Sequence, residues 1–226
     1  MYFVFPFIFQ KLIWIPTRLI LSTFGNLKIK GLENLKNIER PVIFACNHSS
    51  EIDPFMVPSC LHFFSRFSPI FYTTRERSFY ENHGWKKYMF GGIFINMWGG
   101  YAVLPGLRNY KKSLLDHLGI IKDGGNVCFF PEGGITHDGR LQKGKGGIAY
   151  LAETTGCPIV PVGISGVYNS TIKDFFSFRN NINVSFGQTI TQKEFKEKIK
   201  RKDGVDIHSY KREAEYVMNK ISELLI

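Results

Sequence analysis

Two rhythms of apolar and polar positions run along this chain. Short, dense apolar runs rich in β-branched and aromatic residues recur as PVIFAC (41–46), PIFYTT (69–74), NVCFFP (126–131) and PIVPVGI (158–164). Runs of that length between turn residues predict buried strands. LKIKGLEN (27–34) and NINVSFGQTI (181–190) add two weaker strands. The prolines within GCPIVPVGISG predict an edge strand or a strand end there.

Between the strands the period lengthens. Asp53-Pro54 opens a helix running through Cys60, with proline at a position suited to the first turn. A helical segment is expected around Trp85 to Phe90, ended by Gly91-Gly92. NYKKSLLDHLGIIKDGG (109–125) predicts one amphipathic helix with Leu114, Leu115, Leu118 and Ile121 on a face, stopped by Gly124-Gly125. Residues 145–155 form another helix, TQKEFKEKIKRKDG (191–204) reads as a solvated helix face and loop, and Asp206–Ile226 as a long amphipathic helix. Strands alternating with helices imply an α/β fold, a single layered domain with a mixed or largely parallel sheet flanked by helices. No internal repeat or low-complexity linker divides it.

The first segment, MYFVFPFIFQKLIWIPTRLILSTFG, is the most apolar part of the chain. Gln10, Lys11, Thr17 and Arg18 break the run and Pro6 and Pro16 interrupt its regularity, so it falls short of an ideal spanning helix. No basic leader with a small-residue cleavage site is visible. Lys11, Arg18 and Ser22 fall near one helical face, with aromatic and aliphatic residues elsewhere. That pattern suits an interfacial membrane helix with its cations at the headgroups and its rings among the acyl chains. The expected organisation is residues 1–25 as that helix and 26–226 as the layered α/β domain.

Charge sharpens the partner question. The formal net charge is +10, which favours anionic partners: acidic lipid, phosphorylated metabolites or nucleic acid. No nucleic-acid reading motif accompanies the charge. Cys46, Cys60, Cys128 and Cys157 form no CxxC pair and three of them lie in or beside apolar, strand-like runs, so buried free thiols are expected and a zinc site is not.

Two stretches carry candidate chemistry. NHSSEID (47–53) follows a strand and sets His48 five positions before Asp53. A carboxylate on one imidazole nitrogen fixes the tautomer and raises the basicity of the other, so the pair could take a proton from an attacking hydroxyl. Taken alone, the spacing also suits a helix cap at Asp53 with His48 bonded to backbone. VCFFPEGGITHDG (127–139) delivers Glu132 and two glycines at another strand end, with Arg140, Lys143 and Lys145 close behind. Glycine backbone beside cations suits an oxyanion or phosphate. Ser49 and Ser50 lack a G-x-S-x-G elbow, which argues against a serine hydrolase.

The order N-H-x-x-x-x-D, then F-P-E-G about eighty residues on, then P-I-V-P-V closely resembles the glycerophospholipid acyltransferase family. Its best-known members are the 1-acyl-glycerol-3-phosphate acyltransferases. The resemblance covers roughly residues 40–168 and implies a glycerol-3-phosphate acyltransferase-like α/β fold. It implies His48 as general base, Asp53 as its orienting partner, and Phe130, Pro131, Glu132, Gly133 and Gly134 as the acceptor-side motif, with Pro161 in the late strand motif. No covalent acyl-enzyme is expected. Acyl-CoA or an acyl-carrier-protein thioester serves as co-substrate, with no cofactor or metal. The expected partners are a membrane lipid acceptor and an anionic membrane surface, and the expected location is membrane-associated on the cytoplasmic face.

Two positions depart from the family pattern. Members acting on lysophosphatidate usually carry arginine shortly after F-P-E-G, where this chain has Ile135. The family's glycine-led apolar run ending in arginine is also missing from GGYAVLPG, and the nearest arginine is Arg108. Isoleucine cannot replace a bidentate arginine–phosphate pair. Either Arg108, Arg140, Lys143 or Lys145 supplies the charge from a shifted position, or the acceptor is another lysolipid or a glycolipid. A non-catalytic lipid-binding protein is the alternative from a different class.

Overall fold

The computed structural model describes residues 3–81, 84, 93–104, 109–170, 173–174, 177, 180–199 and 207–225. The expected helix around Trp85 to Phe90 lies outside the described residues.

Seven strands form one sheet: β1 (Lys28–Lys30), β2 (Ile43–Cys46), β3 (Ile70–Thr74), β4 (Gly100–Ala102), β5 (Asn126–Phe129), β6 (Ile159–Ser165) and β7 (Asn183–Phe186). Their order is β1-β7-β6-β2-β5-β3-β4. Every neighbouring pair is parallel except β6 with β7. A mixed, mostly parallel sheet flanked by helices is the architecture the alternation predicts.

Because side chains alternate across a strand, the sheet feeds two cores. Phe44, Cys46, Tyr72, Cys128, Val160 and Val162 point to one face, where they meet Leu21 of α1 (Val4–Thr23) and Met56 and Val57 of α2 (Asp53–Cys60). Ile43, Ala45, Phe71, Val127, Phe129 and Ile159 point to the other. There they meet α6 (Leu115–Lys122), α7 (Gly147–Thr155), α8 (Gln192–Ile199) and α9 (Ile207–Ser222). The short helices α3 (Arg77–Tyr80), α4 (Ile93–Trp98) and α5 (Tyr110–Ser113) and a 3-10 turn over Leu32–Leu35 lie between the longer elements.

Three expectations need correction. The proline-bearing strand is β6, which lies inside the sheet between β7 and β2. Pro161 survives there because its missing N–H faces β7, where the register slips by one residue between the Val162–Phe186 pair and the Ile159–Ile190 bridge. The stretch 109–125 is two helices, α5 and α6, broken at Leu114, whose φ/ψ of −117°/20° is not helical. Leu115 is therefore turned to solvent while His117 and Ile120 are buried.

The third correction concerns α1. It is one continuous helix across Pro16, but its polarity is the reverse of an interfacial helix with outward cations. Gln10 is buried and donates to the carbonyls of Ile70 (2.6 Å) and Trp98 (2.8 Å), while its Oε1 accepts from Ile70 N–H (3.0 Å). Lys11 donates to the Phe63 carbonyl, Trp14 to those of Pro58 and Leu61, and Arg18 to that of Ser59. Thus the polar side chains satisfy carbonyls of the body at the ends of α2, α4 and β3 and in the loop after α2, and the outward stripe is apolar. Phe5, Ile8, Leu12, Ile15 and Leu19 lie on it, with Leu12 69% exposed. By length and composition the helix could cross a membrane.

Candidate functional site

β2, β5 and β6 run parallel in the centre of the sheet, so their carboxyl ends and following loops gather at one edge, where ligands bind in open α/β sheets. β2 ends at Cys46, and Asn47 extends it by another means. Its side-chain amide donates to the Ile164 carbonyl (2.9 Å) and accepts the Ile164 N–H (2.7 Å), so the side chain continues the ladder to β6 as the backbone turns away. This fixes where the next residue begins.

That residue is His48, held at both backbone groups by the F-P-E-G loop. Its N–H donates to Glu132 Oε1 (2.7 Å), and its carbonyl accepts the Thr136 N–H (2.9 Å). Glu132 Oε2 accepts the Gln142 N–H (2.8 Å). Both carboxylate oxygens of Glu132 are therefore engaged with backbone, and the residue is 7% exposed. Burial pushes its carboxyl above the ordinary value, an effect opposed by the two N–H bonds it accepts.

The imidazole is positioned as tightly as the backbone. Nδ1–H donates to Asp53 Oδ2 at 2.9 Å, and the ring stacks on Phe130 with centroids 4.2 Å apart and planes at 23°. Asp53 is fully buried at the first turn of α2, and the same oxygen accepts the N–H groups of Ser49 (2.6 Å) and Ser50 (2.8 Å). The carboxylate thus closes the turn and orients the ring together. With Nδ1 committed, Nε2 is the nitrogen left to exchange a proton with a ligand. His48 opens onto a cleft of about 190 Å³ that Asn47, Glu132, Thr136, Arg140, Ser165, Tyr168 and Leu225 also line.

Beyond Glu132 the chain turns at Gly133, whose φ is +71°. Lys145 lies over it: a Cβ at Gly133 would stand 2.5 Å from the Lys145 Nζ. On the other side Arg75, just past β3, donates from Nη2 to the Gly133 carbonyl (2.6 Å) and comes within 3.0 Å of where a Gly134 Cβ would be. Two cations therefore flank the glycine pair.

The sequence-derived set falls into place unevenly. His48, Asp53, Phe130, Glu132, Gly133, Gly134 and Lys145 form one cluster, Pro131 is tied in through its carbonyl to Lys145 N–H (2.8 Å), and Arg140 lines the cleft. Lys143 is exposed on the following connection, and Arg108 lies outside the described residues. Asn47, Thr136 and Arg75 were not singled out from sequence. Asn47 and Thr136 lie within the quoted stretches 47–53 and 127–139 but carry no candidate role there. Arg75 stands 58 positions before Gly133, in a segment with no motif of its own.

A family model described as Acyltransferase matches residues 26–165. The chain belongs to that family. It is 31% identical over 152 residues to "1-acyl-sn-glycerol-3-phosphate acyltransferase BAT2, chloroplastic" of Brassica napus, which is 63% of this chain and 38% of that protein. A relative of the same named activity from Arabidopsis thaliana, LPAT1, is also 31% identical, over 63% of this chain and 37% of that one. The chain thus spans well under half the length of these curated relatives. The crystal structure of the 1-acyl-sn-glycerophosphate acyltransferase PlsC from Thermotoga maritima superposes with a TM-score of 0.59 at 18% identity, covering 92% of this chain and 76% of that one. The expected fold class and the resemblance carried by NHSSEID and F-P-E-G are both borne out.

Proposed function

We propose that this chain transfers a fatty acyl group from a thioester to the hydroxyl of a membrane lysolipid, with 1-acyl-glycerol-3-phosphate as the acceptor class, in phospholipid synthesis. The carrying observation is the His48 Nδ1–Asp53 Oδ2 pair at 2.9 Å, clamped to the F-P-E-G loop at both backbone groups of His48. Nε2 takes the proton of the acceptor hydroxyl as that oxygen attacks the thioester carbonyl. The C–S bond then breaks, and the departing sulfur receives the proton from the imidazolium that Asp53 stabilises. The acyl group passes directly to the acceptor.

The absent arginine after F-P-E-G favours other lysolipids only if nothing else brings charge to the glycine pair. Arg75 and Lys145 do so, and their placement beside Gly133 and Gly134 supports a phosphomonoester acceptor. The outward apolar stripe of α1 supports a membrane-bound enzyme, with the site facing the cytoplasmic pool of acyl-CoA or acyl carrier protein.

The test is thiol release from an acyl thioester in the presence of lysophosphatidate, lysophosphatidylcholine or a glycolipid. Wild type is expected to turn over lysophosphatidate best. His48→Ala and Asp53→Asn are expected to lower kcat by about 10² to 10⁴, and Arg75→Ala to raise KM for lysophosphatidate alone. Acceptor-dependent release at the wild-type rate from His48→Ala would remove the base from the mechanism.

A further inference from the structure

Three tyrosines from three separate elements meet on the sheet face opposite α1, with Tyr210 edge-on to the other two and Tyr110 tilted against Tyr150. Tyr110 of α5 lies 5.5 Å from Tyr150 of α7 and 5.6 Å from Tyr210 of α9, and Tyr150 and Tyr210 are 5.6 Å apart. Gly146 makes the convergence possible. A Cβ there would stand 2.7 Å from the Tyr110 hydroxyl and 2.8 Å from Tyr210 Cβ.

Each element that enters this cluster brings a pair of exposed cations beside its contact. They are Lys111 and Lys112 on α5, Lys143 and Lys145 before α7, and Lys211 and Arg212 on α9. Among the described residues none of the six is in an ion pair. Among the described residues the carboxylates on the neighbouring turns are the exposed Asp116 of α6 and Glu215 of α9, the half-buried Glu153 of α7 and the buried Glu213 of α9, so positive charge remains in excess. The face is continuous with the site, because Lys145 also covers Gly133.

An anionic bilayer is a poor fit for this charge. The stripe that suits lipid belongs to α1, which packs on the first core, whereas the tyrosine cluster overlies the second. A nucleotide is a poor fit as well: small ligands are held in concave pockets, and these cations stand exposed on α5, on α9 and on the connection before α7, none of them lining the cleft beside His48. A broad basic surface with rigid aromatic rings at its centre suits an acidic macromolecule, for which charge complementarity sets orientation and on-rate.

We propose that this tyrosine-centred basic face receives an acidic carrier protein that presents the acyl thioester to His48. The proposal rests on the acyltransfer reading of the site and assigns its donor. The lipid acceptor arrives from the α1 side, the carrier from the opposite face, and the two meet at the carboxyl edge of the sheet. On transfer the acyl carbon leaves sulfur for the acceptor oxygen, and the carrier departs with its thiol protonated.

The experiment compares wild type with Lys111→Glu/Lys112→Glu/Lys211→Glu/Arg212→Glu, four positions outside the site around His48. Donors are an acidic acyl carrier protein and coenzyme A bearing the same long acyl group. A carrier with an amide in place of the thioester gives binding by calorimetry without turnover. Wild type is expected to bind the amide carrier with an affinity that falls steeply with salt. The variant is expected to lose about tenfold or more of it, with a matching rise in KM for the carrier donor. Its kinetics with acyl-CoA, thermal midpoint and binding to anionic vesicles should stay within about twofold of wild type or unchanged. Reversing acidic residues on the carrier should restore part of the loss. Equal loss with both donors, no carrier binding by wild type at low salt, or loss of vesicle binding in the variant would each overturn the proposal. If neither donor gives transfer but carrier binding still depends on these four residues, the acyltransfer reading fails and the docking face stands.

Discussion

Glu132 offers the sharpest test of how the site is assembled, because the family pattern places it beside the acceptor while its oxygens are both bound to backbone. Consider Glu132→Gln. The amide oxygen can accept one of the two N–H groups, at His48 (2.7 Å) or at Gln142 (2.8 Å), but the amide nitrogen then faces the other donor. One hydrogen bond to a charged group is lost, worth about 1.5–3 kcal/mol, and a mostly buried N–H is left without an acceptor, costing a further 1–3 kcal/mol or so. A central value near 4 kcal/mol lowers the thermal midpoint by roughly 8–16 °C in a chain of this size. The displaced backbone is that of the general base, so kcat should fall while KM for the acceptor changes little. Denaturation monitored by circular dichroism and steady-state thiol release measure the two effects. A variant as stable as wild type, with a raised acceptor KM and unchanged kcat, would show that the carboxylate binds the acceptor and that the clamp on His48 is incidental.

Two further outcomes are expected. Leu12→Glu with Leu19→Glu should leave the thermal midpoint unchanged, since both side chains point outward. It should weaken vesicle partitioning by about 3 kcal/mol, roughly 100-fold; undiminished flotation with liposomes would show that lipid does not cover this stripe. His117 is fully buried beside the Tyr72 carbonyl (3.3 Å), and burial holds its pKa below the ordinary 6.5. Below that value the unfolded chain binds a proton that the folded chain refuses, so stability falls with pH, at most about 1.4 kcal/mol per unit, until the lowered folded value is reached. His117→Gln should flatten the difference in urea midpoint between pH 7 and pH 5, and an identical slope in both proteins would discard the assignment.

The central strands were legible because each is a short apolar run with both faces buried, and His48, Asp53 and Glu132 because each stands just past such a run. What escaped depends on partners remote in sequence. The inward turn of Gln10, Lys11 and Arg18 follows from carbonyls at positions 59, 63, 70 and 98, which no helical wheel contains. The interior place of Pro161 depends on the slip between Phe186 and Ile190. Arg75 became part of the site only when β3 and β5 paired and brought it to Gly133. The break at Leu114 overrode a continuous amphipathic pattern because the α5 stub docks through Tyr110 while α6 buries His117 and Ile120.

The Asn47 amide has a consequence for motion. By substituting for the next rung between β2 and β6, it makes the Ile164 amide hydrogen part of the sheet although its acceptor is a side chain. Exchange of that hydrogen with deuterated solvent should therefore be as slow as for the innermost strand amides, reporting whole-molecule opening and not breathing of a surface loop. The residue that begins the reactive turn would then share the lifetime of the folded scaffold.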